Sequence, residues 1–214
     1  MTKTFSPVCL GIVVFAAITA MVFLAGATYA GVPCAGTSDG IATPDRGTYR
    51  PASDTDVVTV TVNVRDCYGT PLRDHWVVVD PIIVDVDPGP GYKPGHCFCP
   101  GEAPASCLTD ITGTCSVTFS HFGGCDTKSG DGGDCGLQFS IVSEGVELGP
   151  SNRITTASPD TDADCDVDLQ DFIFFATAYL GDEWCVDFDW DGDVDLQDFI
   201  AFAGSYLHLC PEER

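Results

Sequence analysis

The stretch DFDWDGDVDLQDFIAFAGSYL, residues 187–207, places six aspartates in its first twelve positions and follows them with an apolar run. An earlier copy, DTDADCDVDLQDFIFFATAYL, occupies residues 160–180, and the block DVDLQDFI is identical in both. A tandem repeat of this quality predicts one structural unit that the chain uses twice.

Each copy begins with a twelve-residue loop, called here loop 1 (160–171) and loop 2 (187–198), with aspartate at positions 1, 3, 5, 7, 9 and 12. An EF-hand loop presents oxygen ligands to calcium in this register, with glycine at position 6 for a sharp turn. Position 6 is Gly192 in loop 2 but Cys165 in loop 1. We expect two Ca2+ ions, because a divalent cation favours several carboxylates that would otherwise repel one another. The predicted ligands are Asp160, Asp162, Asp164, Asp166 and Asp171 in loop 1, and Asp187, Asp189, Asp191, Asp193 and Asp198 in loop 2.

A helix is predicted after each loop, because apolar residues recur there at i, i+3, i+4 and i+7. The stripes are Phe172, Phe175, Ala176 and Tyr179, and Phe199, Phe202, Ala203 and Tyr206. Val167 and Val194 stand at loop position 8, where an apolar side chain is expected to let the two loops pair and share a core. No amphipathic helix precedes either loop.

Two loop-and-helix units between residues 160 and 209 resemble a dockerin of type I, the module that docks into cohesin domains. The resemblance implies a cohesin-type partner and assigns partner binding to positions 10 and 11, which are Leu169, Gln170, Leu196 and Gln197. Cellulosomal dockerins commonly have Ser-Thr there, and the acid at position 12 is Asp here and not Glu. Because the two pairs are identical, a partner could bind either copy. One alternative is calcium that only stabilises the module, and another is a solvated acidic face.

The segment before the repeats predicts an all-β domain. Valines at 58, 60, 62 and 64 alternate with polar residues, and further alternating runs start at Trp76, Cys115 and Leu137, which indicates half-buried strands. Residues 31–55 are expected to be a loose lead-in, and the proline-rich residues 87–107 an irregular loop. The sequences VTVNVRDCYGTPLRDHWVVV and LTDITGTCSVTF resemble the bacterial Ig-like domains of surface adhesins, which implies an Ig-like sandwich.

The first thirty residues have a lysine in a short polar lead, an apolar run and small residues before Ala30. This pattern predicts a signal peptide with cleavage after Ala30, and an uncleaved membrane anchor is the alternative. The chain has 32 acidic and 9 basic residues in 214, a net charge of −23, which excludes an ordinary binder of the nucleic-acid backbone.

Eleven cysteines follow residue 30, eight before residue 136 and three after residue 164. In an exported chain this density predicts disulfides. The first eight can pair internally, but the last three are odd in number, so one is free or bridges domains or chains. If the two units are related by a pseudo-twofold axis, Cys165 lies near Cys210 and a bridge between them closes the module. Cys185 would then be the odd thiol.

The sequence therefore predicts a signal peptide (1–30), a disulfide-rich Ig-like β-sandwich (31–156) and a small all-α, EF-hand-like dockerin domain (157–214). The expected function is non-catalytic, calcium-dependent docking of a secreted or cell-surface protein. No nucleophile or metalloprotease motif is present. The alternatives are a small secreted carbohydrate-active enzyme that carries a dockerin, and a surface structural or adhesion protein.

Overall fold

The computed structural model describes residues 31–51, 53–84, 96–124 and 136–210, so the predicted signal peptide lies outside the described residues. These residues contain eleven strands, two α-helices and one short 3-10 helix. The strands are β1 (Asp39–Thr43), β2 (Arg46–Thr48), β3 (Val58–Asn63), β4 (Trp76–Val84), β5 (Cys97–Phe98), β6 (Ala105–Leu108), β7 (Thr114–Phe119), β8 (Phe122–Gly123), β9 (Gly136–Ser143), β10 (Val146–Pro150) and β11 (Thr155–Ala157). The helices are α1 (Leu169–Ala178), α2 (Leu196–Ser205) and the 3-10 helix (Trp184–Val186).

Seven strands form two antiparallel sheets. One sheet has the strand order β1-β3-β7 and the other has the order β10-β9-β4-β6. Side chains from both sheets meet in one hydrophobic core. Two packed antiparallel sheets with seven strands have the architecture of an Ig-like sandwich, and the predicted β-sandwich is confirmed.

Strand β3 shows how the sequence builds this core. Val58, Val60 and Val62 are fully buried, whereas the alternate side chains face outward because successive residues of a strand point to opposite faces. On the outer face the hydroxyl oxygen of Thr61 lies 3.0 Å from that of Ser116 on β7. The alternation thus places the valines in the core and a hydroxyl pair on the surface.

The two sequence motifs that resemble Ig-like domains each form a turn, and the two turns are of the same type. Asp66 and Asp110 each accept, through Oδ1, hydrogen bonds from the backbone N–H groups two and four residues later, at distances of 2.8 to 3.1 Å. Gly113 has a φ of 75°, and a Cβ there would lie 2.6 Å from the carbonyl oxygen of Val64. A side chain at this position is therefore excluded both by backbone conformation and by space.

Two segments that the sequence predicts to be irregular contain strands. Within residues 31–55, β1 pairs with β3 along five residues, and β2 pairs in parallel with β11. Within residues 87–107, β5 pairs with β8 and β6 pairs with β4; residues 87–95 lie outside the described residues. Hydrogen bonds from neighbouring strands, and not a side-chain pattern of their own, specify these short strands.

The chain passes from the sandwich to loop 1 through a buried segment. Ala157 and Ser158 are fully buried, and the N–H of Tyr49 donates to the carbonyl of Ala157 at 2.9 Å. The N–H of Ser158 donates to the carbonyl of Cys185 at 3.3 Å. The described residues from 32 to 210 belong to one compact unit, and a domain boundary at residue 157 stays a prediction.

The repeat units build a second, smaller core. Phe175 of α1 and Phe202 of α2 stack with ring centroids 5.2 Å apart, and Val167 and Val194 are fully buried beside them. The predicted all-α EF-hand-like domain is present only as two ten-residue helices, each preceded by an acidic loop and not by a helix.

Four disulfides have both cysteines in the described residues. They are Cys34–Cys67, Cys97–Cys165, Cys99–Cys210 and Cys107–Cys115. The first joins the N-terminal segment to the turn that follows β3. The second and third join Cys97 of β5, and Cys99 just after it, to the repeat units, so the first eight cysteines do not pair only among themselves.

The predicted bridge between Cys165 and Cys210 is wrong. Their sulfur atoms do lie within 4.8 Å of each other and of Cys99, so the pseudo-twofold argument brings the correct residues together. Cys165 is bonded instead to Cys97 of β5, and Cys210 to Cys99, the residue after β5. Cys185 is also disulfide-bonded, and the prediction of an odd thiol there is wrong.

The core predicts a large cost for truncating Phe119. This side chain is fully buried and stacks on Phe139 with ring centroids 4.7 Å apart. We expect Phe119→Ala to lower the free energy of unfolding by about 3 to 5 kcal/mol, measured by urea denaturation. Tyr68→Ala is the control, because Tyr68 is 96% exposed. Equal stability of the two variants would contradict the assigned core.

A buried histidine predicts a pH dependence of stability. His96 Nε2 lies 2.6 Å from the hydroxyl of Thr156, and burial lowers the pKa of His96 from 6.5 to about 4. The unfolded chain therefore takes up a proton between these values while the folded chain does not, and stability falls as the pH drops from 6.5 to about 4. We expect His96→Gln to remove up to about 3 kcal/mol of this loss, measured by urea denaturation at several pH values and one calcium concentration. Parallel curves for both proteins would refute the assignment.

Candidate metal centre

Each loop gathers three carboxylates at one point. Oxygens of Asp160, Asp162 and Asp171 lie within 4.8 Å of one another in loop 1, and those of Asp187, Asp189 and Asp198 do so in loop 2. These are positions 1, 3 and 12 of both loops. The buried members occupy positions 1 and 12, so the loops direct two acids inward and leave the third nearer the surface.

The aspartate at position 1 organises the turn of its own loop. Asp160 accepts the N–H groups of Asp164 and Cys165, at 3.2 and 3.1 Å. Asp187 accepts those of Asp191 and Gly192, at 3.2 and 2.9 Å. The same two loop positions, 5 and 6, donate in each copy, so the sequence repeat is also a repeat of hydrogen bonding.

The aspartate at position 12 closes each loop from its other end. Asp171 accepts the N–H groups of Thr161 and Asp168, at 2.6 and 2.8 Å. Asp198 accepts the N–H of Phe188 at 2.6 Å and that of the residue at loop position 9 at 2.8 Å. The aspartate at position 12 therefore belongs to the carboxylate cluster, and its hydrogen bonds also connect the start of the loop to the start of the helix.

The residues at position 9, Asp168 and Asp195, are helix N-caps. Each accepts the N–H of the residue two positions later, Gln170 at 2.6 Å and Gln197 at 2.7 Å. With the position-12 aspartate they form a capping box at α1 and at α2. The Asp-x-x-Asp spacing is a sequence signal for a capping box. The same residues also match the calcium-loop register, so their capping role was not predicted.

Positions 4 and 6 have left-handed backbone in both loops. The φ angles are 60° at Ala163 and 72° at Cys165, and 61° at Trp190 and 101° at Gly192. Glycine adopts this conformation freely, whereas a residue with a Cβ does so at a cost. Cys165 therefore holds a conformation that its own side chain disfavours, and its disulfide to Cys97 stabilises it from outside the loop.

The electrostatics of loop 1 favour a bound cation. Burial, followed by the charge of Asp171, raises the pKa of Asp160 to about 8. Burial and then the charge of Asp164 raise the pKa of Asp166 to about 6, and burial raises the pKa of Asp171. In loop 2 desolvation, followed by the charge of neighbouring aspartates, raises the pKa of Asp189. Negative charge is costly in these loops without a positive partner.

The donor set fits calcium. It consists of oxygen atoms, which hard cations such as calcium prefer, and Oδ1 of Asp166 is buried without a hydrogen-bond partner among the described residues. Buried polar atoms normally have such a partner or coordinate an ion. Asp160, Asp162 and Asp171 would hold an ion in loop 1, and Asp187, Asp189 and Asp198 in loop 2.

The other predicted ligands have different surroundings. Carboxylates of Asp164 and Asp191 accept the N–H groups of Asp166 and Asp193, each at 3.1 Å, and so support the turn. The carboxylate of Asp166 clusters with those of Asp168 and Asp171. Asp193 is exposed, and its side chain joins no three-carboxylate cluster among the described residues.

The expected pairing of the loops through position 8 is wrong. Val167 exchanges backbone hydrogen bonds with Leu207 and His208, beyond the end of α2, at 2.7 and 3.0 Å. Val194 likewise bonds to residues 180 and 181 beyond α1, at 2.9 and 3.0 Å. Each loop therefore pairs with the end of the other unit, which locks the two units around a pseudo-twofold axis. Both valines do share one core, as expected.

Two matching apolar grooves lie between the helices. One has a volume of about 360 Å3 and is lined by Leu169, Phe172, Phe199, Phe202, Ala203 and Tyr206. The other, of about 370 Å3, is lined by the residues equivalent under the repeat, Leu196, Phe199, Phe172, Phe175, Ala176 and Tyr179. Leu169 is 58% exposed and Leu196 is 59% exposed, and Gln170 and Gln197 beside them are exposed. The only charged residues within the two helices, Asp171 and Asp198, are buried.

Fold and site together define an Ig-like β-sandwich joined to two aspartate-rich loop-and-helix units. No protein-family model matches this chain, and no curated protein matches it. No helix in the described part of the chain is long and apolar enough to cross a membrane.

Among solved structures, partial likeness extends to three bacterial proteins. InvD of Yersinia pseudotuberculosis is 18% identical, with 58% of this chain and 28% of that chain covered and a TM-score of 0.35. The adhesin InvE of the same organism is 16% identical, with 62% and 29% covered and a TM-score of 0.35. Invasin, a bacterial integrin-binding protein, is 14% identical, with 60% and 20% covered and a TM-score of 0.37. This chain spans less than a third of the length of each, and the sandwich assignment above depends on the sheet topology alone.

Proposed function

We propose that this protein binds two calcium ions in its tandem loops and docks through its paired helices onto a cohesin-type partner. The observation that carries the proposal is the repeated frame of each loop. In both copies the acids at positions 1 and 12 accept backbone hydrogen bonds from the same loop positions and cluster with the acid at position 3. Two independent copies of a cation-shaped oxygen cluster favour a metal site over a solvated acidic face.

The docking surface in this proposal is the pair of grooves with Leu169, Gln170, Leu196 and Gln197 at their edges. A surface of exposed leucine and aromatic side chains without an exposed charge is typical of an interface and unusual for a solvated helix face. The grooves are equivalent under the repeat, so the partner can bind in either of two orientations. Calcium acts by ordering the loops, and the loops fix the starts of both helices through their capping boxes.

The proposal places the protein outside the cytoplasm, at the cell surface or in the medium. Four complete disulfides among the described residues are typical of an oxidising compartment, and the predicted signal peptide is consistent with export. The sandwich serves as a spacer or an adhesive surface and is non-catalytic. A secreted carbohydrate-active enzyme with a dockerin is the alternative, and no observation on the described residues favours it.

Removing the position-12 carboxylates tests the metal sites. We expect the wild type to bind two calcium ions, Asp171→Asn and Asp198→Asn to bind one each, and the double variant none, because each change removes a buried charge from one cluster. Isothermal titration of the chelator-treated full chain gives the stoichiometry, and far-UV circular dichroism follows the helices. Glu147→Gln, an exposed acid of the sandwich, is the charge control and keeps both ions. Absence of calcium binding to the wild type would refute the metal sites.

The docking surface is tested by placing a charge in each groove. We expect purified cohesin-type domains from the same genome to bind the wild type with calcium and to be released by a chelator. Leu169→Asp or Leu196→Asp alone preserves binding through the other groove, whereas the double variant loses affinity by at least about a hundredfold, as for interface hot spots. Ile111→Asp is the control, because Ile111 is an exposed apolar residue of the sandwich. Calcium binding without any cohesin binding would leave only the stabilising role of the metal.

A further inference from the structure

Loop 1 is attached to the sandwich at its first ligand position. Strands β5 and β8 pair through Cys97 and Gly123, and the resulting two-stranded β5–β8 sheet lies against Asp160. The sulfur of Cys97, which is bonded to Cys165, is 3.0 Å from Oδ2 of Asp160. The same carboxylate oxygen accepts the N–H of Cys165 at 3.1 Å. One disulfide thus contacts both position 1 and position 6 of the loop.

At Gly123, strand β8 lies too close to Asp160 for any side chain to fit. A Cβ on Gly123 would lie 2.1 Å from Oδ2 of Asp160. The next residue, Gly124, donates its N–H to the carbonyl of Asp160 at 2.9 Å. Gly124 therefore holds the backbone of Asp160 and Gly123 borders its carboxylate, and any side chain at position 123 would displace the acid.

Loop 2 contacts the sandwich at other positions. The hydroxyl of Thr48 donates to the carbonyl of Phe188 at 2.9 Å, and the guanidinium of Arg46 lies 5.5 Å from the ring centroid of Trp190. Phe188 and Trp190 are at positions 2 and 4 of loop 2. The carboxylate of Asp187 accepts hydrogen bonds from Asp191 and Gly192 of its own loop, and position 6 is a glycine that needs no external support for its backbone.

We infer that the two-stranded β5–β8 sheet is a positioning element for loop 1 alone, so that the Cys97–Cys165 disulfide and Gly123 set the calcium affinity of loop 1 and not that of loop 2. This inference rests on the proposed calcium function. The physical reason is preorganisation, because groups that orient metal ligands from outside commonly change metal affinity by about ten- to a hundredfold. The sandwich is then part of one metal site and only a neighbour of the other.

The test measures each site separately in the full chain. Asp198→Asn leaves loop 1 to be titrated with calcium, and Asp171→Asn leaves loop 2. In each background the disulfide is replaced by the double change Cys97→Ser with Cys165→Gly, where glycine supplies the left-handed backbone that loop 2 has at position 6. The matched control is Cys34→Ser with Cys67→Ser, which removes a disulfide within the sandwich. Thermal unfolding and far-UV circular dichroism report the fold of every variant.

We expect the first double change to weaken calcium binding to loop 1 by at least about tenfold and to leave loop 2 within twofold of its affinity, a margin of about 0.4 kcal/mol. The control double change leaves both unaltered. Gly123→Ala gives the same selective loss without touching a disulfide, and Gly36→Ala, where a Cβ meets nothing within 4 Å, is its control.

An unchanged affinity of loop 1 in both the disulfide variant and Gly123→Ala would overturn the inference, and so would an equal loss in the two loops. In either case the calcium function stands, because both backgrounds still bind the ion. A wild-type chain that binds no calcium overturns the proposed function and this inference together.

Discussion

Repulsion among carboxylates is the constraint on which the C-terminal part of the molecule depends. Two like charges 4 Å apart interact by about 4 kcal/mol at an effective dielectric constant of 20, and each loop holds three carboxylates within 4.8 Å. Backbone N–H groups of the loop point at Asp160 and Asp187, as they would at any bound anion. The clustered carboxylates of each loop would therefore favour a positive charge between them. The helices begin at Leu169 and Leu196, within the last turn of each loop.

Helix length sets a second requirement. Ten-residue helices are too short to be stable in isolation, so α1 and α2 depend on packing against each other and on backbone hydrogen bonds between the residues after each helix and position 8 of the other loop. The inner faces of both helices pack into one small core. Their outer faces are apolar and exposed to solvent. The buried segment at Ala157 and Ser158 extends that core toward the sandwich.

Periodic features of the chain could be predicted from the sequence, and contacts between distant segments could not. The alternation of β3 and the stripes of α1 and α2 are local patterns, and the structure has those elements. Strand β6 carries no such pattern, because its place is set by hydrogen bonds from β4. In the loops, register identified positions 1, 3 and 12, but it could not separate the clustered acids from Asp164 and Asp191, which support turns.

The disulfides show the same division. Pseudo-symmetry between the two units correctly brings Cys165 near Cys210, yet it says nothing about a third segment at the same place. Cys97 of β5 and Cys99 just after it, far away along the chain, lie at the same place and form the disulfides to Cys165 and Cys210. The contact between Gly123 and Asp160 could not be predicted for the same reason, because the two residues are distant in the sequence and neither local pattern indicates it.

Strand β5 has one further consequence, which concerns mechanics. Phe98, between the two bridging cysteines, stacks on Phe122 with ring centroids 5.1 Å apart, so residues 97–99 are anchored at the sandwich core and covalently bonded to the repeat units at Cys165 and Cys210. Both bridges are attached outside the helices, at Cys165 in loop 1 and at Cys210 beyond α2, so unfolding of the helices would not break them. The module could lose its helices under load and still remain attached.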